Sequence, residues 1–111
     1  MAHPDLSSDT LSRLEATILS RRDADPGSSY VAKLNARGLG KIAQKLGEEA
    51  TETVIAALTE DRAALVGEAA DLLFHLTVLL AARDVPVADV IAELDRREGV
   101  SGIAEKAART T

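Results

Sequence analysis

The stretch KLGEEATETVIAAL, Lys45 to Leu58, decides the fold. Leu46, Ala50, Val54, Ile55 and Leu58, with Ile42 just upstream, recur at the spacing of an amphipathic helix. Into that helix the chain crowds Glu48, Glu49 and Glu52. At about 100° per residue, Glu52 lies about 40° and Glu49 about 100° around from Glu48, so the acids share one arc. Lys45 and Lys41 extend the same stripe, at about 60° and about 20°.

A second segment repeats the pattern. GEAADLLFHL, Gly67 to Leu76, places Glu68, Asp71 and His75 within an arc of about 60°. Around them stand Leu72, Leu73, Phe74, Leu76, Val78, Leu79 and Leu80, so this helix is apolar nearly all round and is expected to be buried on several sides. Its carboxylates therefore do not read as freely solvated.

Such crowding carries a cost. Like charges one turn apart repel by a few tenths of a kcal/mol on an exposed helix, so about 0.2–0.5 kcal/mol per pair. Partial burial removes several kcal/mol of hydration per ion. The acids must protonate or find cations, and Lys41 and Lys45 are too few to balance them. Oxygen-only ligation suits a hard dication, so Mg²⁺, with Mn²⁺ as substitute, is the expected cofactor. E-E-x-x-E alone usually marks a solvated face. Paired with E-x-x-D at the head of an apolar helix, it reads as a ligand set: Glu48, Glu49, Glu52, Glu68 and Asp71. His75 reads as a hydrogen-bonded core residue, with Asp71 one turn earlier as its partner. A di-iron bundle needs Glu-x-x-His on two helices. Here Asp71 and His75 are i, i+4, and the other histidine is His3, so that site is set aside.

Composition narrows the class. The chain has 111 residues, 13 basic and 18 acidic, giving a net charge of −5. That length suits one domain, taken as residues 1–111 with an ordered core over about 8–100 and a fraying tail over 101–111. The acidic balance argues against nucleic acid or an anionic membrane as partner. There is no cysteine, hence no disulfide framework or thiolate site. MAHPDLSSDT lacks a basic-then-apolar leader pattern, and the greasy run Ala69 to Ala82 reads as too short to span a bilayer. A cytoplasmic protein is expected. Aromatics make up only 2% of residues, so Leu, Ile, Val and Ala must build the core.

The fold class expected is all-α, a bundle of four to five helices. Leu11, Leu14, Ile18 and Leu19 mark a first helix, with Ser7, Ser8 or Asp9 as cap. DADPGSS is a loop, and SYVAKLNARGLG a short helix ending near Gly38 or Gly40. The acidic helix then runs from about Lys41 to Leu58. Asp61 caps the next, over about Arg62 to Arg83. Pro86 precedes a last helix stopped by Gly99.

At these residues the sequence resembles the phosphoribosyl-ATP pyrophosphatases of histidine biosynthesis. SSYVAKL, KLGEEATETVIAAL, GEAADLLFHLTVLLAARDVPVADVIAELDRREGVSG and the closing GVSGIAEKAAR carry the resemblance, over about residues 8 to 109. The paired acid motifs are shared more widely, with MazG-like and dimeric dUTPase-like all-α nucleotide pyrophosphatases. The resemblance implies Mg²⁺-dependent hydrolysis of phosphoribosyl-ATP to phosphoribosyl-AMP and pyrophosphate. It implies a homodimer or dimer of dimers, and it points to the same five acids as the metal shell. Phe74 stands where many relatives carry Tyr.

On that reading water attacks directly, since no partnered nucleophile is in sight, and Glu49 or Glu52 orients or deprotonates it. Lys33, Lys41, Lys45, Arg96 and Arg97 are candidates for the phosphates. Gly99 and Gly102 would let backbone amides approach an anion. The simpler account of Arg96 and Arg97 is that basic residues suit a helix's last turn. Tyr30 either stacks on a base or fills the bundle. Two other readings stay open: a house-cleaning nucleotide pyrophosphatase, and a non-catalytic helical interaction module.

Overall fold

The computed structural model describes residues 6–98, with side chains from Thr10 onward. The expected tail over 101–111, the Gly99 stop and Gly102 lie outside these residues. The described chain is all-α: α1 (Leu6–Arg21), α2 (Tyr30–Arg37), α3 (Leu39–Thr59), α4 (Arg62–Ala82) and α5 (Val87–Glu98).

Local chemistry sets the boundaries. α1 begins at Leu6, ahead of the residues expected to cap it. The Ser29 side chain accepts from the Ala32 amide at 3.2 Å and starts α2. Gly38 stops it, at φ 96°, a left-handed conformation that strains any residue with a Cβ. Its amide bonds the Leu34 and Asn35 carbonyls, each at 3.2 Å, and α3 begins at the next residue. Of the two glycines expected to break the chain here, only Gly38 does so; Gly40 lies inside α3. Asp61 caps α4 by accepting from the Ala64 amide at 2.9 Å, as its position foretold.

α3 and α4 are each 21 residues long and are joined by Glu60 and Asp61 alone. So short a link folds them into an antiparallel hairpin, the most extensive pairing in the bundle. α1 packs on α4, α2 on α3, and α5 on α1. The core lies where these meet: Ile18, Val31, Leu34, Ile42, Val78 and Ala81, with Leu14, Phe74 and Leu79 against them. Ile18 and Ile42 are the largest side chains fully buried. The start of α5 is held from a distance, because Glu15 on α1 accepts from the Val87 amide at 2.7 Å. That bond satisfies one of the amides a helix start leaves orphaned.

α4 as a whole is long and apolar enough to cross a membrane by length and composition, longer than the Ala69–Ala82 run suggested. It is instead the second arm of the hairpin and carries three polar groups of the site below. Only 17% of its most apolar window is buried, which corrects the expectation of burial on several sides. Val66 and Leu73 on α4, with Val54, Ile55 and Leu58 on α3, are exposed.

Candidate metal centre

The hairpin brings together acids from both arms. Carboxylate oxygens of Glu49 on α3 and of Glu68 and Asp71 on α4 lie within 4.8 Å of one another. The antiparallel register does this: counted outward from the Glu60–Asp61 link, Glu49 and Glu52 lie 11 and 8 residues out on one arm and Asp71 and Glu68 lie 10 and 7 out on the other, within one residue of level.

Burial is uneven. Glu49 is buried, Glu68 half-buried and Asp71 exposed, so the cluster opens from the hairpin seam toward solvent. Desolvation, and then a hydrogen bond shared with Glu52, push the Glu49 carboxyl above its ordinary range. Its Oε2 is buried and makes no hydrogen bond among the described residues. Glu68 is also raised, first by desolvation and then by repulsion from Glu52 and Asp71. A buried acceptor without a donor costs about 1–3 kcal/mol, more when charged. An orphaned oxygen, raised carboxyls and an all-oxygen donor set are what a hard dication relieves. The donor set fits a hard dication, and Glu49, Glu68 and Asp71 are the residues that could hold one.

Glu52 and Glu48 take different places from these three. Glu52 is exposed at the rim, beside Glu49. Glu48, about 100° round the helix from Glu49, turns to solvent. It accepts from Gln44 at 2.9 Å and from Lys45 at 3.2 Å, and these bonds hold its carboxyl below the usual range. Lys45 is raised in return, first by its bond to Glu48. Lys41 lies near enough to add to the lowering of Glu48.

His75 is buried between helices, and Asp71 is its partner, through the backbone. Nδ1 donates to the Asp71 backbone carbonyl at 2.8 Å, not to the Asp71 side chain. A carbonyl only accepts, so Nε2 is left to accept from the Tyr30 hydroxyl at 2.9 Å. Tyr30 also stacks on Phe74 with ring centroids 6.0 Å apart. It therefore ties α2 to α4, while its ring stays half-exposed at 47%.

The remaining basic candidates are dispersed. Lys33 is exposed on α2. Arg96 and Arg97 both bond Glu93, with N–O distances of 2.8 Å, and belong to the end of α5. Sequence reasoning passed over Thr53, whose hydroxyl bonds the carbonyls of both Glu49 and Glu68. It also passed over Glu15 at the start of α5. A threonine one turn after a candidate ligand was the available signal for the first; no local signal exists for the second, because its partner is 72 residues away.

Fold and site together define a class: an all-α protein whose central helical hairpin holds a convergent carboxylate centre. The family model described as phosphoribosyl-ATP pyrophosphohydrolase matches residues 11–98. The chain is 74% identical over 100 residues to the phosphoribosyl-ATP pyrophosphatase of Novosphingobium aromaticivorans, covering 90% of this chain and 94% of that one. It is 71% identical over 100 residues to the enzyme of that name from Rhizorhabdus wittichii, with the same coverage. Against that of Erythrobacter litoralis it is 70% identical over 100 residues, covering 90% and 96%. The chain belongs to the phosphoribosyl-ATP pyrophosphohydrolase family.

Proposed function

We propose that the chain hydrolyses phosphoribosyl-ATP to phosphoribosyl-AMP and pyrophosphate, a step of histidine biosynthesis, with Mg²⁺ bound at the hairpin. The observation that carries the metal part is the meeting of Glu49, Glu68 and Asp71 oxygens within 4.8 Å, around a buried Glu49 oxygen that lacks a partner. Family membership and high identity over nearly the whole chain support the substrate.

A dication held there supplies charge neutralisation between the acids and the phosphate oxygens. The chain's own groups do the rest. Glu49, Glu68 and Asp71 form the holding set, with Glu48 as an outer acid that Lys45 and Gln44 orient. Glu52, at the rim beside Glu49, orients a water molecule and takes its proton as the water oxygen attacks phosphorus. The P–O bond to the departing pyrophosphate breaks. Lys45, held by its bond to Glu48, meets the released charge, with Lys41 near Glu48 beside it and Lys33 on α2 a further phosphate candidate. Tyr30 keeps its ring half-exposed beside this site, so base stacking and packing are both open to it. Arg96 and Arg97, both bonded to Glu93, are the further phosphate candidates on α5.

The apolar residues left exposed on α3 and α4 fit a second copy of the chain, giving a homodimer in the cytoplasm. Leu58 is 79% exposed and Val66 60%, in the same hairpin. Light scattering on a Leu58→Lys, Val66→Lys variant would then report a monomer.

The direct test is pyrophosphate release from phosphoribosyl-ATP with and without Mg²⁺. Glu52→Gln should keep the helical fold and lose about 10²–10⁴-fold in turnover. Normal release by that variant would remove Glu52 from its role. Equal turnover of ordinary deoxynucleoside triphosphates would favour the house-cleaning reading instead. Failure of Mg²⁺ to raise the melting temperature would favour the non-catalytic module, since a ligand that binds only the folded state must stabilise it.

A further inference from the structure

We propose that Thr53 is a positioning residue, whose hydroxyl sets the height at which the two acid-bearing arms meet. This rests on the reading of the hairpin as a metal centre. Thr51, Thr53, Thr59 and Thr77 each donate to a carbonyl one turn back on their own helix. Among the described residues only Thr53 also reaches a neighbouring helix. Its Oγ1 lies 2.7 Å from the Glu49 carbonyl oxygen and 3.2 Å from the Glu68 carbonyl oxygen. One proton is thus shared between the backbones of the two glutamates whose carboxylates must converge.

The geometry makes the bond selective for register. Thr53 and Glu68 stand the same distance from the Glu60–Asp61 link, so the contact closes only when the arms run level. Sliding one arm by a residue would move its side chains about 1.5 Å along the axis and about 100° around it. Either change separates carboxylates that now lie within 4.8 Å. Apolar contacts resist sliding poorly, because aliphatic surfaces carry no direction. A half-buried three-centre hydrogen bond does carry one. Partners that orient metal ligands without touching the metal change affinity or activity by about 10–100-fold when removed.

The test uses the full chain and Mn²⁺ alone, with free Mn²⁺ followed by its paramagnetic resonance signal. Thr53→Val keeps the branched shape and removes the hydroxyl; it should weaken Mn²⁺ binding by about tenfold or more. Thr53→Ser keeps the hydroxyl and should bind within about threefold of the parent, and Thr51→Val, which loses only a bond within α3, should do likewise. A Thr53→Val protein that melts lower without metal yet binds Mn²⁺ within about twofold of the parent has lost only a structural bond, and overturns the proposal. Should Thr53→Val not fold, Thr53→Ser decides: a tenfold loss there overturns it. A parent chain that does not bind Mn²⁺ overturns the metal reading and this one together; normal parent binding retained in Thr53→Val overturns this one alone.

Discussion

The middle of the α3–α4 hairpin and the end of α5 handle acidic side chains in opposite ways. On α5, Glu93 is gripped by Arg96 and Arg97, each at 2.8 Å, and these bonds, Arg96 first, pull its carboxyl down to about 2. In the hairpin, Glu49 keeps one buried oxygen without a hydrogen bond among the described residues, and burial, first of all, drives its carboxyl up. One region is electrostatically complete as folded. The other is left with an unmet acceptor, the feature on which the proposed cation site rests. Glu48 shows how local the difference is: one residue from Glu49, it is satisfied by Gln44 and Lys45.

The sharpest way to break this contrast is to neutralise one acid on each side. Glu49→Gln should lower turnover by more than about 100-fold, beyond what loss of an outer partner usually costs. The same variant should raise the melting temperature without metal, because it removes a buried charge. Glu93→Gln should do neither, and steady-state kinetics beside thermal melts separates the two. Glu48→Gln should fall between, with a loss of about tenfold, as expected for an acid that orients rather than holds.

Acidity sharpens the contrast further. Glu49 and Glu68 have folded values above their unfolded ones, so the folded chain binds more protons. Their effect on the metal-free fold is fully favourable below the unfolded value and is lost as pH rises through the folded one. Glu93 has the reverse sign: its contribution is complete above the ordinary 4.5 and is lost as pH falls toward about 2. Urea midpoints of the metal-free chain should therefore rise as pH drops from neutrality toward the glutamate range, then fall in stronger acid. Saturating Mg²⁺ should abolish the rise, since protons then compete with the ion. The smallest effect expected is at the far end of the bundle, where Glu15→Ala should cost about 0.5–2 kcal/mol, as for loss of a helix cap, with turnover unchanged.

Much of this was legible in the chain because helix periodicity is a local property. The apolar stripes, the Asp61 cap and the Gly38 break are all written within one turn of where they act. The acid sets were legible too, but a helical wheel gives only angles, not which direction meets a neighbour. Glu48 and Glu49 therefore read as one group although the fold separates them. Asp71 as the partner of His75 was legible from the i, i+4 spacing, but not that the ring bonds its backbone carbonyl and leaves the side chain to the cluster. Tyr30 on His75 and Glu15 on Val87 join residues 45 and 72 positions apart, and no local pattern encodes such pairs.

All three convergent carboxylates come from the span between Glu49 and Asp71, closed on itself by the two-residue link at Glu60 and Asp61. Closing so short a loop costs little chain entropy, and neighbouring arms find each other early in folding. The centre is in this sense portable: new chain ends cut into the loop at Asp23–Ser29 would leave its covalent frame whole. Lengthening the link by one residue, far from any acid, would threaten it more than surgery on either flank.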